Sequence, residues 1–390
     1  MTSLSELYRR GCAILAISMM AFVLGISPAA WAQSSLTTLH TFSGPDGAYS
    51  YAPLVQDRAG NLYGTTAGGG TFNAGTVFKI DTSGNETVLF NFKGRRDGGN
   101  PRSGLLLDST GNLYGITASG VGVGQGGVLF KLTPSGQEIL LHSFSTADGT
   151  GSASGLIRDS AGNFYGTTEG GGAHNLGVVF KLDSHGNYSI LYSFTGRNGD
   201  GSEPFAGLVR DQAGNLYGTT FGGGTLGLGT VFKIDALGNE SILYSFLGGS
   251  DGSIPSSTLV LDSAGNLYGT TDGGGTYNRG TVFEIDSSGN ESILHAFGAT
   301  DDGSSPFVGL VRDQSGNLYG VTDGGGVDGH GSIFELDSSG NESVLYSFTG
   351  GPDGARPEAA LILDSAGNLC GTTLDHGKGG VGTVFRLKLQ

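Results

Sequence analysis

Apolar residues in this chain fall into short runs separated by glycine-rich or Asp/Asn-rich stretches, and nothing beyond residue 32 sustains a helical period. In one stretch the runs read Gly207-Leu-Val-Arg-Asp211, Asn215-Leu-Tyr-Gly-Thr-Thr220, Gly229-Thr-Val-Phe-Lys-Ile-Asp235 and Glu240-Ser-Ile-Leu-Tyr-Ser-Phe246. Their β-branched and aromatic content predicts four short strands, called a, b, c and d. Asp-x-x-Gly-Asn joins a to b (Asp211 to Asn215) and c to d (Asp235 to Asn239). Glycine accepts positive φ, and Asp or Asn bonds the turning backbone, so both joints read as tight antiparallel hairpins. Val231 and Phe232 are adjacent, as are Ile242, Leu243 and Tyr244, so both faces of the sheet are apolar and both need covering.

The strand-b phrase recurs from Asn61, Asn112, Asn163, Asn215, Asn266, Asn317 and Asn368, at intervals of 51, 51, 52, 51, 51 and 51 residues. Sheets with two apolar faces, repeated at this period, bury them by stacking radially, which predicts an all-β, seven-bladed β-propeller over residues 33–390. The last repeat ends on strand c, Gly382 to Leu387, whereas Leu36 to Phe42 reads as an orphan strand d. Pairing those two would close the ring and cover both edges.

The first 32 residues read as a cleaved secretory signal. Arg9 and Arg10 precede an apolar run from Ala13 to Ile26, followed by Ala30-Trp31-Ala32 as a cleavage site. The run is shorter than the ~20 residues a membrane span needs, so no span is expected in the mature protein. Cleavage leaves Cys370 as the sole cysteine, at a position that is tyrosine in the other repeats, which predicts a buried structural thiol. Loss of Glu6, Arg9 and Arg10 takes the count from 35 acidic and 20 basic to 34 and 18, a net charge of −16. That balance argues against nucleic acid as a partner. The 75 glycines recur in register with the repeat, so they mark turns rather than low complexity.

On Gly-Asn-Leu-Tyr-Gly-Thr-Thr, Gly-Gly-Gly and Gly-Thr-Val-Phe-Lys the chain resembles the GloVer tandem-repeat family of exported bacterial proteins, often carrying a C-terminal choice-of-anchor segment. The a-to-b pattern is similar to NHL-type propellers. The resemblance implies an extracellular or surface-displayed protein without a defined biochemical role. The ending at Gln390, directly after strand c, suggests a soluble exported form, periplasmic or secreted.

With this strand order the d-to-a and b-to-c loops share one face of the ring and the hairpins share the other. The hairpin face is nearly uniform between repeats, so binding is expected on the loop face. The residue before strand a varies (Tyr51, Arg102, Ala153, Phe205, Ser256, Phe307, Glu358) and is expected near the mouth of the central channel. Of these, Tyr51, Arg102, Phe205 and Phe307 are candidate binding residues. Glu169, Asp272 and Asp323 follow strand b, where paired acids would suit general acid/base work or simply be solvated. Phe72, His174, Tyr277, His330 and His376 stand out in the b-to-c loops, where aromatics among Asn and Asp suit sugar stacking or merely cover the loop base.

An Asp recurs in every d-to-a loop: Asp46, Asp97, Asp148, Asp200, Asp251, Asp302 and Asp353. Such a ring suggests cations, but Asp-Gly turn building is the plainer account, and neither a metal nor a cofactor is expected. His40, His142 and His295 take the strand-d position of Tyr192, Tyr244 and Tyr346, and no His spacing suits zinc. The sequence therefore predicts an exported non-catalytic propeller recognising a carbohydrate, peptide or surface partner on the loop face. The alternatives are a lyase or hydrolase at the channel mouth, and a structural surface protein without a ligand.

Overall fold

The computed structural model describes residues 35–120, 126–151, 155–298 and 301–389. The proposed signal segment and Ala153 lie outside the described residues. The described chain forms seven four-stranded antiparallel sheets, each in the order a-b-c-d. In blade 4 these are Val209–Arg210, Leu216–Thr220, Thr230–Ile234 and Glu240–Ser245. Blade 7 is assembled from both ends of the chain: Ile362–Leu363, Leu369–Thr373 and Thr383–Lys388 are joined by Ser35–Thr41 as strand d. The N-terminal strand thus closes the ring as its sequence suggests, covering an edge that would otherwise expose unpaired backbone groups.

The apolar core lies between blades. Seven buried clusters each join neighbouring sheets; one unites Val179 and Phe194 of blade 3 with Leu208, Leu216 and Phe232 of blade 4. At every interface the phenylalanine ending strand d meets the strand-c phenylalanine of the next blade edge to face, with centroids 5.1 to 5.3 Å apart, as in Phe42–Phe78, Phe194–Phe232 and Phe348–Phe385. The strand-b glycine makes room for that ring: a Cβ on Gly218 would lie 2.7 Å from Phe232 Cζ. The two threonines that follow have separate tasks. Thr219 Oγ1 donates to Ser257 O of the next blade (3.1 Å), while Thr220 Oγ1 bonds Thr230 Oγ1 within its own blade (2.8 Å).

The a-to-b turn is organised by its aspartate. Asp211 Oδ1 accepts from Asn215 N (2.8 Å), and Oδ2 accepts from Asn215 Nδ2 (2.6 Å) and from the Tyr217 hydroxyl (3.0 Å). In blade 7 Cys370 replaces the tyrosine. Its sulfur is 3.9 Å from Asp364 Oδ2, and Arg386, aligned with Lys233 of blade 4, supplies a guanidinium nitrogen 3.1 Å from that oxygen. Cys370 is fully buried and its thiol is pushed up to about 11, mainly by that burial.

The d-to-a aspartates are turn builders. Asp353 accepts from Thr349 N (2.8 Å) and from the Tyr346 hydroxyl (3.0 Å). His40 and His142 replace that tyrosine with Nε2 contacts of 3.0 and 2.9 Å to Asp46 and Asp148, and His295 Nε2 lies 3.4 Å from Asp302. Among the described residues no group of three or more His, Cys, Asp or Glu is arranged to hold a metal ion.

Strand d begins with a glutamate in most blades, and a carboxyl oxygen of Glu86, Glu240, Glu291 and Glu342 is buried without a hydrogen-bond partner. Burial, and then the charge of Asp46, Asp200, Asp251 or Asp302, raises each of these glutamates from 4.5 to about 7. A carboxyl raised in the fold stabilises it at acid pH, and that contribution is lost as pH climbs from 4.5 through about 7. The a-to-b aspartates oppose this only below their ordinary 3.8, since burial raises them less than their turn hydrogen bonds lower them. Thermal unfolding should therefore show a higher midpoint at pH 5 than at pH 8. Joint Glu240→Gln and Glu291→Gln substitution should narrow that difference, and an unchanged difference would refute the assignment.

Candidate functional site

On the loop face, the variable residues that precede strand a surround a cavity of about 400 Å³ on the ring axis. Tyr51, Arg102, Phe205, Ser256, Phe307 and Glu358 all line it. Below them its wall is apolar, built from the residues just before strand a such as Leu156, Leu208 and Leu310. Strand a is the innermost strand of each sheet, so the segment leading into it brings the variable side chain of six described positions to the axis.

The charges at this mouth are uneven. Arg102 stacks over the Tyr51 ring at 4.9 Å and its Nε donates to Asn100 Oδ1 at 3.2 Å. On the other side of Tyr51, at blade 7, Arg356 meets Asp323 Oδ1 at 3.1 Å, Asp375 Oδ2 at 3.0 Å, and Glu358. Glu358 is only 8% exposed. Burial raises its pKa, with the charge of Asp323 adding to this and Arg356 opposing it. Glu169 is likewise raised, by partial burial of its carboxyl and then by Glu203, with Arg102 acting the other way.

The remaining sequence candidates are scattered. Phe72 is 53% exposed, with Lys93 Nζ 6.0 Å from its ring centre. Tyr277 is 62% exposed and packs against Gly298. His174 is exposed at the blade 3 loop. His330 and His376 do come together, with ring centroids 5.2 Å apart. Asp272 is half-buried at the end of its strand b, where its N–H donates to Ile254 O (3.1 Å). Phe72, His174 and Tyr277 thus stand outside the cavity lining that Phe205 and Phe307 share.

A second ring was not anticipated from the sequence. Tyr49, Asn100, Glu203, Ile254, Ser305 and Arg356 all adopt left-handed backbone, with φ from 54° to 61°. Each donates its N–H to the b-to-c loop of the preceding blade, as Ile254 N does to Leu228 O and Arg356 N to His330 O. These bonds hold a conformation that is costly for non-glycine residues. A proline follows in five blades, Pro101, Pro204, Pro255, Pro306 and Pro357, but proline disfavours the helical region in the residue before it without selecting positive φ, so it gave no signal of this ring.

Two stretches, residues 25–212 and 197–385, match the model of the Gloeobacter/Verrucomicrobia repeat, and together they span most of the sequence. The chain belongs to this repeat family. No match was found among curated proteins. Among solved structures, virginiamycin B lyase from Staphylococcus aureus is similar at 12% identity and a TM-score of 0.60, covering 92% of this chain and 99% of that one. The extracellular domain of a putative one-component system from B. thetaiotaomicron is similar at 12% identity and a TM-score of 0.58, covering 91% of this chain and 40% of that one. At such identities the likeness shows the propeller fold and nothing about chemistry.

The strained ring has a measurable consequence. Ile254 is β-branched at φ 61°, whereas Asn100 occupies the same place in blade 2. Ile254→Asn should raise stability by about 1 kcal/mol, the scale of left-handed strain in a bulky residue. A lowered midpoint in chemical denaturation would contradict this.

Proposed function

We propose that this protein is an exported β-propeller that binds a carbohydrate, peptide or surface partner on its loop face, at the mouth of the central channel. The observation that carries this reading is the convergence of Tyr51, Arg102, Phe205, Ser256, Phe307 and Glu358 on one cavity of about 400 Å³. That volume and its mixture of aromatic walls and a few charged groups suit a small ligand or a protruding side group. The residues that differ between repeats lie where ligands would meet them, and the repeated residues hold the blades together. Export rests on the Arg9-Arg10, apolar and Ala30-Trp31-Ala32 pattern of the first 32 residues.

Phe205→Ala combined with Phe307→Ala should abolish capture of whatever ligand a glycan and peptide array identifies for the unaltered protein, with circular dichroism and the melting midpoint essentially unchanged. Retained binding by the double variant would refute the channel-mouth reading. Glu358 favours a second reading, a lyase or hydrolase acting at the same mouth. It is a buried carboxyl held above its ordinary range beside a guanidinium, a setting suited to general acid catalysis. If that reading is right, substrates that bind the array-defined site should be turned over, and Glu358→Gln should cut the rate at least a hundredfold without loss of binding.

A further inference from the structure

A second cavity, of about 380 Å³, opens on the loop face between blades 1 and 2. It shares Tyr51 and Arg102 with the channel mouth and adds Tyr49, Asn73, Asn100 and Ser119. Its floor is made of small residues, Ala67, Gly68, Ala74 and Gly99. We propose that this pocket binds a pyranose bearing a carboxylate, such as a hexuronate, either free or at the end of an acidic polysaccharide. The proposal deepens the loop-face binding reading and rests on it.

The hydrogen-bonding inventory points to an acceptor-rich ligand. No carboxylate lines the pocket, although the protein as a whole is strongly acidic and Glu169 faces Arg102, and Glu358 and Asp375 face Tyr51, from outside it. Asn73 Oδ1 is occupied by Gly69 N (3.1 Å) and Asn100 Oδ1 by Arg102 Nε (3.2 Å), so both amides present their NH2 groups as donors. Ser119 donates to Gly99 O (3.0 Å). Neither tyrosine hydroxyl has a hydrogen-bond partner among the described residues, and the outer guanidinium nitrogens of Arg102 are likewise without one. These groups can donate to ring and hydroxyl oxygens, and a guanidinium pairs with a carboxylate through two parallel bonds.

Shape and charge agree with this inventory. The Tyr49 ring lies over Gly68, where an added Cβ would come within 3.2 Å of it, and it remains 42% exposed. One face is therefore supported and the other is open for stacking on the apolar side of a sugar ring. The left-handed backbone at Tyr49, φ 60°, is pinned by Tyr49 N to Val381 O (3.1 Å) and by Ala67 N to Tyr49 O (2.9 Å), which fixes the platform. Lys93, Arg95 and Arg96 are exposed in the loop that supplies Gly94 to the pocket rim, so with Arg102 four cations fall within residues 93–102. Asp97 in the same loop is turned to the backbone, accepting from Lys93 N (2.8 Å) and Arg95 N (3.3 Å). Fields of this sign draw a polyanion to an otherwise repelling surface.

Calorimetry or saturation-transfer NMR with galacturonate, trigalacturonate, galactose and acetate tests the proposal. Galacturonate should bind about tenfold or more tightly than galactose, as one charge-assisted bidentate pair would give. Arg102→Gln should erase that preference, and Tyr49→Asn, which keeps a residue suited to positive φ, should weaken both sugars. Tighter binding of trigalacturonate that falls with added salt and with Lys93→Ala/Arg95→Ala/Arg96→Ala identifies a polysaccharide as the source, and equal binding identifies the free sugar acid. Equal affinity for galactose, competition by acetate as effective as galacturonate, or uronate binding indifferent to both pocket variants would overturn the proposal. Phe205→Ala/Phe307→Ala separates the two sites: loss of the array-defined ligand without any uronate effect at Tyr49 leaves the channel-mouth reading standing and removes this one.

Discussion

Everything in this structure depends on one contact made seven times, the edge-to-face meeting of a strand-d phenylalanine with the strand-c phenylalanine of the next blade. A four-stranded sheet with two apolar faces has no stability by itself, so each blade needs both neighbours. The ring is the arrangement in which every blade has them. Its last interface exists because Phe42, carried by the N-terminal strand, reaches Phe78 of the first blade after that strand has completed the seventh. Closure and core are thus the same event.

The invariant phrase serves this contact. Its leucine packs in one interface and its tyrosine borders the other, its glycine admits the phenylalanine ring, and its threonines tie blade to blade and strand to strand. Where blade 7 breaks the pattern with Cys370, Arg386 stands beside the same aspartate. That pairing suggests why the departure is tolerated: an aspartate oxygen keeps a positively polarised partner although the hydroxyl is gone.

With the scaffold fixed by repetition, variation collects where the blades meet solvent on the loop face. The ring of residues before strand a was readable from period and strand direction alone, and six of its members do line the channel mouth. The left-handed ring one step outside it was not readable, because φ at Tyr49 or Ile254 is imposed by hydrogen bonds from the previous blade. Nor did any spacing show that Asp323 and Asp375 join Glu358 on Arg356, since those two aspartates arrive from other loops. Phe72 and Tyr277, distinctive in the sequence, are not among the residues that line the cavity with Phe205 and Phe307.

The sequence by itself determined the all-β character, the seven blades, the hairpin turns and the strand exchanged at closure. Each of these follows from local periodicity and turn chemistry, which a repeated unit states many times over. Only the tertiary structure decided which variable side chains share a cavity, which charges neutralise one another, and that a donor-lined pocket lies between blades 1 and 2 of an acidic protein. Those outcomes depend on distances between residues carried by different loops and blades, set by blade twist and inter-blade hydrogen bonds, and no single repeat encodes them.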